Sequence, residues 1–111
     1  MTDLKQQTCQ PIPTGTPALD RTAVAALLAQ IPNWTLNDTG NGINRTYRFK
    51  NYYETMAFVN ALAWIAHRED HHPDIEVSYN RCLVRYSTHS VKGLSNNDFI
   101  CAAKLNALFG E

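Results

Sequence analysis

The chain has no excess of charge: 10 Lys+Arg balance 10 Asp+Glu across 111 residues, for a formal net charge of zero. A nucleic-acid or anionic-membrane binder normally carries a basic surplus, so neither is expected as a direct partner. No apolar run approaches the ~20 residues that span a bilayer. Met1 to Gln10 is polar and lacks the apolar stretch of a secretory signal. Cysteine is scarce and scattered, with Cys9, Cys82 and Cys101 far apart and no CxxC spacing. That argues against a disulfide framework and against a thiolate zinc site, and for reduced thiols in a soluble, cytoplasmic protein. Internal repeats and low-complexity tracts are also missing. What remains is 44% hydrophobic, well away from the disordered class, and long enough to bury one core but not two.

Residues 1–18 are polar and broken by Pro11, Pro13, Gly15 and Pro17, and read as a flexible N-terminal arm. A single domain is expected over residues 19–111. Asp20 is placed to cap a first helix reaching Gln30, with Val24, Leu27, Leu28 and Ile31 at helical spacing and Pro32 as its stop. Trp34-Thr35-Leu36 and Ile43 to Phe49 flank an Asn/Asp/Gly-rich turn, a β-hairpin pattern. Asn51 and Glu54 resemble a capping box for a second helix. Met56, Val59, Ala63 and Ala66 fall on one of its faces, and Phe58, Leu62 and Ile65 on an adjacent one. So wide a stripe suits burial on more than one side. Pro73 requires that helix to finish by His71 or just before it.

Ile75–Tyr79 and Leu83–Ser87 form a second hairpin around Asn80-Arg81, with Cys82 between turn and strand. Ser95 then caps a third helix, with Asp98 at its third position and Gly110 as its end. The order α-β-β-α-β-β-α predicts an α+β two-layer sandwich: one four-stranded antiparallel sheet with three helices on one face.

All four histidines, His67, His71, His72 and His89, lie in one short stretch. Histidine gives and takes protons near neutral pH, and it also binds metals. A zinc site is the weaker reading. His67 and His71 are four apart, but the run His67-Arg68-Glu69-Asp70-His71 is not HExxH and no thiolate is nearby. Taken singly, each residue has a plain structural explanation. His71-His72-Pro73 suits a helix C-terminus. His67 suits a solvated helix position, Asp98 a capping box, and His89 a strand-end loop.

The combination is more specific. His67-x3-His71-His72-Pro73, then Tyr79, His89 and Asp98 at fixed gaps, resembles the signature of the pterin-4a-carbinolamine dehydratases, also called the dimerisation cofactor of a homeodomain transcription factor. The resemblance covers about residues 19 to 109. It includes Trp34, Phe49, Ser87-Thr88-His89 and Gly93-Leu94-Ser95. It implies dehydration of a 4a-hydroxy-tetrahydropterin to the quinonoid dihydropterin, recycling the pterin of aromatic amino-acid hydroxylases.

In that reading His71, His72 and His89 are catalytic, and Asp98 is their orienting acid. Ser87 and Thr88 bind substrate, and no metal or other cofactor takes part. His67 stands where the family often has Glu, so orientation could also come from His67 itself or from Asp70. Partners implied are a small pterin substrate, a second or further copy in a homodimer or homotetramer, and the hydroxylase pathway. The rival readings are a non-catalytic coactivator module of the same fold, and a dehydratase-like protein serving a molybdopterin pathway.

Overall fold

The computed structural model describes residues 3–111. The described residues form three α-helices, α1 (Arg21–Leu28), α2 (Tyr52–Glu69) and α3 (Asn96–Ala107). They also form four strands, β1 (Thr35–Leu36), β2 (Ile43–Arg48), β3 (Asp74–Ser78) and β4 (Arg81–Tyr86). The strands make one antiparallel sheet in the order β1-β2-β4-β3, so the two hairpins join through β2 and β4. This is the expected α+β sandwich. No helix among the described residues is long and apolar enough to cross a membrane.

Side-chain alternation gives the sheet its two faces. Ile43 and Tyr47 on β2, with Cys82, Val84 and Tyr86 on β4, point into the core. Thr46, Arg48, Arg81 and Arg85 are exposed on the other face. Asn106 ties the core together at one end. Its Oδ1 accepts from Trp34 Nε1 (2.9 Å), Tyr47 Oη (2.8 Å) and Arg45 Nη1 (2.6 Å), while its Nδ2 donates to Pro32 O (3.0 Å).

Helix ends follow their capping residues. Asp20 Oδ1 accepts from Ala23 N, and Asn51 Oδ1 accepts from Glu54 N, both at 2.9 Å. The first helix finishes at Leu28, two residues short of Gln30, and a turn leads on to Ile31. On α2 the innermost residues are Thr55, Phe58 and Leu62. Ala63, expected on the apolar stripe, is exposed.

α3 is buried on nearly every side, from Asn97 through Ala103 and again at Leu105 and Asn106. The reason is the segment before α1. Residues 3–10, read from sequence as part of a flexible arm, lie along α3, with Leu4 in the core. Lys104 Nζ donates to Lys5 O at 3.0 Å, Cys9 N donates to Glu69 Oε1 at 2.8 Å, and Gln10 exchanges two hydrogen bonds with Asn97. Further on, Leu19 N donates to Leu94 O at 2.9 Å. Where the segment crosses at Ala18, Gly93 leaves the necessary room: a Cβ there would come within 2.9 Å of the Ala18 Cβ.

Candidate active site

The site forms where two connections, α2 to β3 and β4 to α3, meet the start of α3 on one rim of the sheet. α2 ends at Glu69, and Asp70 adopts the left-handed conformation (φ 51°). His71 N then donates back to Ala66 O at 3.2 Å. This closure turns the chain sharply, so His71 and His72 lie in the short link to β3. On the adjacent β4, the chain leaves Tyr86 through Ser87 and Thr88 into a 3-10 turn, His89–Val91. Thr88 and Gly93 close that loop through a two-residue bridge. The loop delivers the chain to Ser95, the cap of α3.

Asp98, at the third position of α3, joins these pieces. Its Oδ1 lies 2.6 Å from His71 Nε2. Its Oδ2 accepts from Thr88 Oγ1 at 2.8 Å and from Ser95 N at 3.0 Å. Thr88 Oγ1 also lies 2.7 Å from Ser95 Oγ. The carboxylate is completely buried, so these donors replace the water it has lost. One side chain therefore caps a helix and grips an imidazole. The His71 ring stacks on Tyr86, with centroids 5.7 Å apart and planes 10° from parallel. Hydrogen bonding on one edge and stacking on one face leave His71 little freedom to turn. With Nε2 donating to Asp98, Nδ1 is the nitrogen left for proton exchange.

His71, His72 and His89 line one cavity of about 120 Å³, together with Asp74, Arg85, Ser87, Thr88 and Ser90. A neighbouring trench of about 280 Å³ shares Asp74, Arg85, Ser87, Thr88 and His89 with it and extends to Asn37, Asn44 and Lys92. The smaller cavity alone falls short of the ~300 Å³ where ordinary ligand pockets begin. A small heterocycle with a substituent needs both.

His72 and His89 are exposed, so water or a ligand reaches them directly. His72 makes one long contact, Nδ1 to Pro73 O at 3.4 Å. Tyr86 is buried, and its phenol is pushed well above the usual range by loss of water. It therefore stays neutral as a platform for His71.

Not every candidate residue reaches this cavity. His67 is exposed on α2 with its ring 5.6 Å from that of Trp64, and Asp70 is exposed at the helix end. Neither lines the cavity or the trench. Thr88 does line it, but its hydroxyl is engaged with Asp98 and Ser95. Asp74, Arg85 and Ser90 also line the cavity, and no motif in the sequence marks them. Asp74 and Arg85 stand opposite each other on β3 and β4. The alternating pattern of both strands places them on the polar face, but only the register brings them to this rim. Among the described residues, no group of three His, Cys, Asp or Glu side chains is placed to hold a metal ion.

Fold and site together define an α+β sandwich with a histidine-lined rim cavity backed by a buried carboxylate. The chain belongs to the pterin 4 alpha carbinolamine dehydratase family, whose profile matches residues 17–108. It is 60% identical over 105 residues to a protein of Stenotrophomonas maltophilia provisionally named a pterin-4-alpha-carbinolamine dehydratase, covering 95% of this chain and 90% of the relative. A Xanthomonas campestris protein with the same provisional name is 57% identical over 114 residues, covering 100% of this chain and 97% of the relative.

Among solved structures, a transcriptional coactivator/pterin dehydratase from Brucella melitensis superposes with a TM-score of 0.80 at 31% identity, over 84% of this chain and 99% of that one. A pterin dehydratase-like RuBisCO assembly factor of the alpha-carboxysome shares the fold, with a TM-score of 0.62 at 21% identity over 71% of this chain and 92% of that one.

Proposed function

We propose that the chain dehydrates 4a-hydroxy-tetrahydropterin to the quinonoid dihydropterin by histidine acid–base catalysis, recycling the pterin used by aromatic amino-acid hydroxylases. The observation that carries this reading is the contact of His71 with the buried Asp98 carboxylate at 2.6 Å, at a cavity that His71 and two further imidazoles line. In the reaction the hydroxyl on C4a leaves as water once protonated, N5 gives up its proton, and a C4a–N5 double bond forms. The nitrogen lone pair drives the departure. The protein has to deliver one proton and remove another, work for which groups with pKa near the ambient pH are best suited.

His71 and His89 act as the acid and base on either side of C4a, and His72 positions the substrate. Asp98 is a positioning residue: it fixes the His71 tautomer and the angle of the ring, as carboxylates do behind catalytic histidines. Thr88 belongs with Asp98 as support. Ser87, whose hydroxyl has no hydrogen-bond partner among the described residues, is left to meet the polar edge of the pterin. The trench beyond His89 takes the substituent on the pterin.

The test is a dehydration assay on freshly generated 4a-hydroxy-tetrahydropterin, followed by absorbance of the quinonoid product, with His72→Ala beside the wild type. Acceleration that weakens in the variant supports the reading. Folded wild-type protein that leaves the spontaneous rate unchanged rejects it.

The same family reading includes self-association into a homodimer or homotetramer. β3 is an edge strand, and Tyr53 (81%) and Trp64 (60%) on α2 are strongly exposed. A solution mass equal to one chain at micromolar concentration would remove this part.

A further inference from the structure

Spacing in the sequence gives no reason to pair the cysteines, yet the fold brings two of them together. Cys9 Sγ lies 3.6 Å from Cys101 Sγ, across 92 residues of chain. The approach is built from both sides. Cys9 N donates to Glu69 Oε1 at 2.8 Å, and Cys9 Sγ lies 3.6 Å from Asn97 O. Next to it, Gln10 N donates to Asn97 Oδ1 at 3.1 Å and Asn97 Nδ2 donates to Gln10 O at 2.9 Å. Asn97 and Cys101 are four apart on α3 and share a face, and the N-terminal segment is laid over that face. Leu4, buried in the core, anchors the same segment farther back.

We propose that Cys9 and Cys101 are a disulfide-forming pair, a covalent modification site that fastens the N-terminal segment to α3. The oxidant is a low-molecular-weight disulfide such as oxidised glutathione. Cys9 is half-buried and Cys101 fully buried, so Cys9 is the sulfur such a reagent reaches. The Cys9 thiolate attacks one glutathione sulfur, forming a mixed disulfide and releasing the first glutathione thiolate. The Cys101 thiolate then attacks the Cys9 sulfur and expels the second. Two protein thiols lose two electrons, the reagent gains them as two thiols, and the two protons pass to the leaving thiolates.

The neighbouring sulfur and burial both push the Cys9 thiol above its usual range. The exchange is therefore slow at neutral pH and faster in alkali.

The crosslink has a defined reach. Cys101 Sγ lies 3.9 Å from the carbonyl oxygen of His71, and Asp98 is one turn earlier on α3. Oxidation thus clamps the N-terminal segment to the turn that carries Asp98. Cys82, buried in the sheet on β4, makes no contact of this kind and serves as the internal control.

The test is to incubate the full chain, natively folded, with oxidised glutathione at about pH 8.5, near the usual thiol pKa. The expected product has lost two hydrogens in intact mass, keeps only Cys82 free, and yields a Cys9–Cys101 peptide on digestion. Its melting temperature rises by at least about 5 °C, because the bond closes a very long loop. Cys82→Ala, which adds no polar group to the core, should form the same crosslink and show the same oxidation-dependent gain as the wild type. Cys9→Ser, at a half-buried position, should show neither the mass loss nor the thermal gain on oxidation.

Three results would overturn the proposal: a folded chain that keeps all three thiols, a reaction that stops at a glutathione adduct on Cys9, or a bond that involves Cys82 or a second chain.

Discussion

Asp98 grips His71 from the buried side at 2.6 Å, with the carboxylate 0% exposed and the imidazole 13% exposed. The other carboxylate oxygen is filled by Thr88 and Ser95, so each acceptor edge of Asp98 has its own task. The group that starts α3 also sets the angle of the imidazole.

Asp98→Asn separates the two tasks. An amide has one oxygen, so it can accept from His71 or from the Thr88–Ser95 side, but not from both. A fall in kcat of up to about 10²-fold is expected, within the range that acid–base groups contribute. KM should change much less, and circular dichroism should show the helix retained. An unchanged kcat would mean that orientation of His71 does not matter.

Asp74 lines both the cavity and the trench, and its side chain has no partner among the described residues. A pterin presents adjacent N–H donors on its pyrimidine ring, which suit a carboxylate. Asp74→Asn should raise KM by roughly tenfold, the size of one charged hydrogen bond, and leave kcat nearly unchanged. Steady-state kinetics on the two proteins would check this split, and an equal KM would remove Asp74 from substrate binding.

Asn106 gathers three donors on one buried oxygen. Asn106→Ala strands the indole of Trp34 and the phenol of Tyr47, so a loss of about 2–3 kcal/mol in urea unfolding is expected. A loss below about 0.5 kcal/mol would show that water or Glu111 replaces the amide at little cost.

Burial raises the Tyr47 phenol to about 12, and Tyr86 is raised for the same reason. Both stay protonated in the fold after the unfolded chain has begun to ionise near pH ~10. Their contribution is complete below that value and is lost as pH rises through the folded pKa. Unfolding free energy should therefore fall between about pH 10 and 12, and Tyr47→Phe should make the fall shallower. A slope identical in the variant would assign the effect to other groups.

Much of the fold was legible because its signals are local. Asp20 and Asn51 accept the cap hydrogen bonds their positions imply, and the Asn/Asp/Gly-rich residues 37–42 separate β1 from β2, whereas the second hairpin turns at Tyr79-Asn80, one residue before the expected Asn80-Arg81. Pro73 marks the end of α2 to within a few residues. The course of residues 3–10 was not legible. Prolines and polar residues describe an open chain, whereas its docking depends on Leu4, Cys9 and Gln10 meeting residues roughly ninety positions away.

The site divides in the same way. His71, His72 and His89 stand out by type and spacing, and they meet in one cavity. His67 and Asp70 share the histidine stretch, but the sharp turn after α2 leaves both outside that cavity. Asp74 and Arg85 join it through strand register, which no single strand records.

In the proposed reaction the imidazoles around this cavity move the protons of pterin dehydration. The most direct measurement is the initial rate of quinonoid dihydropterin formation from 4a-hydroxy-tetrahydropterin with wild type, His71→Ala and His89→Ala, each checked for native folding. Clear acceleration by the wild type and a loss of roughly 10²-fold or more in each variant are expected. Wild-type rates retained in both variants would contradict this role for the imidazoles.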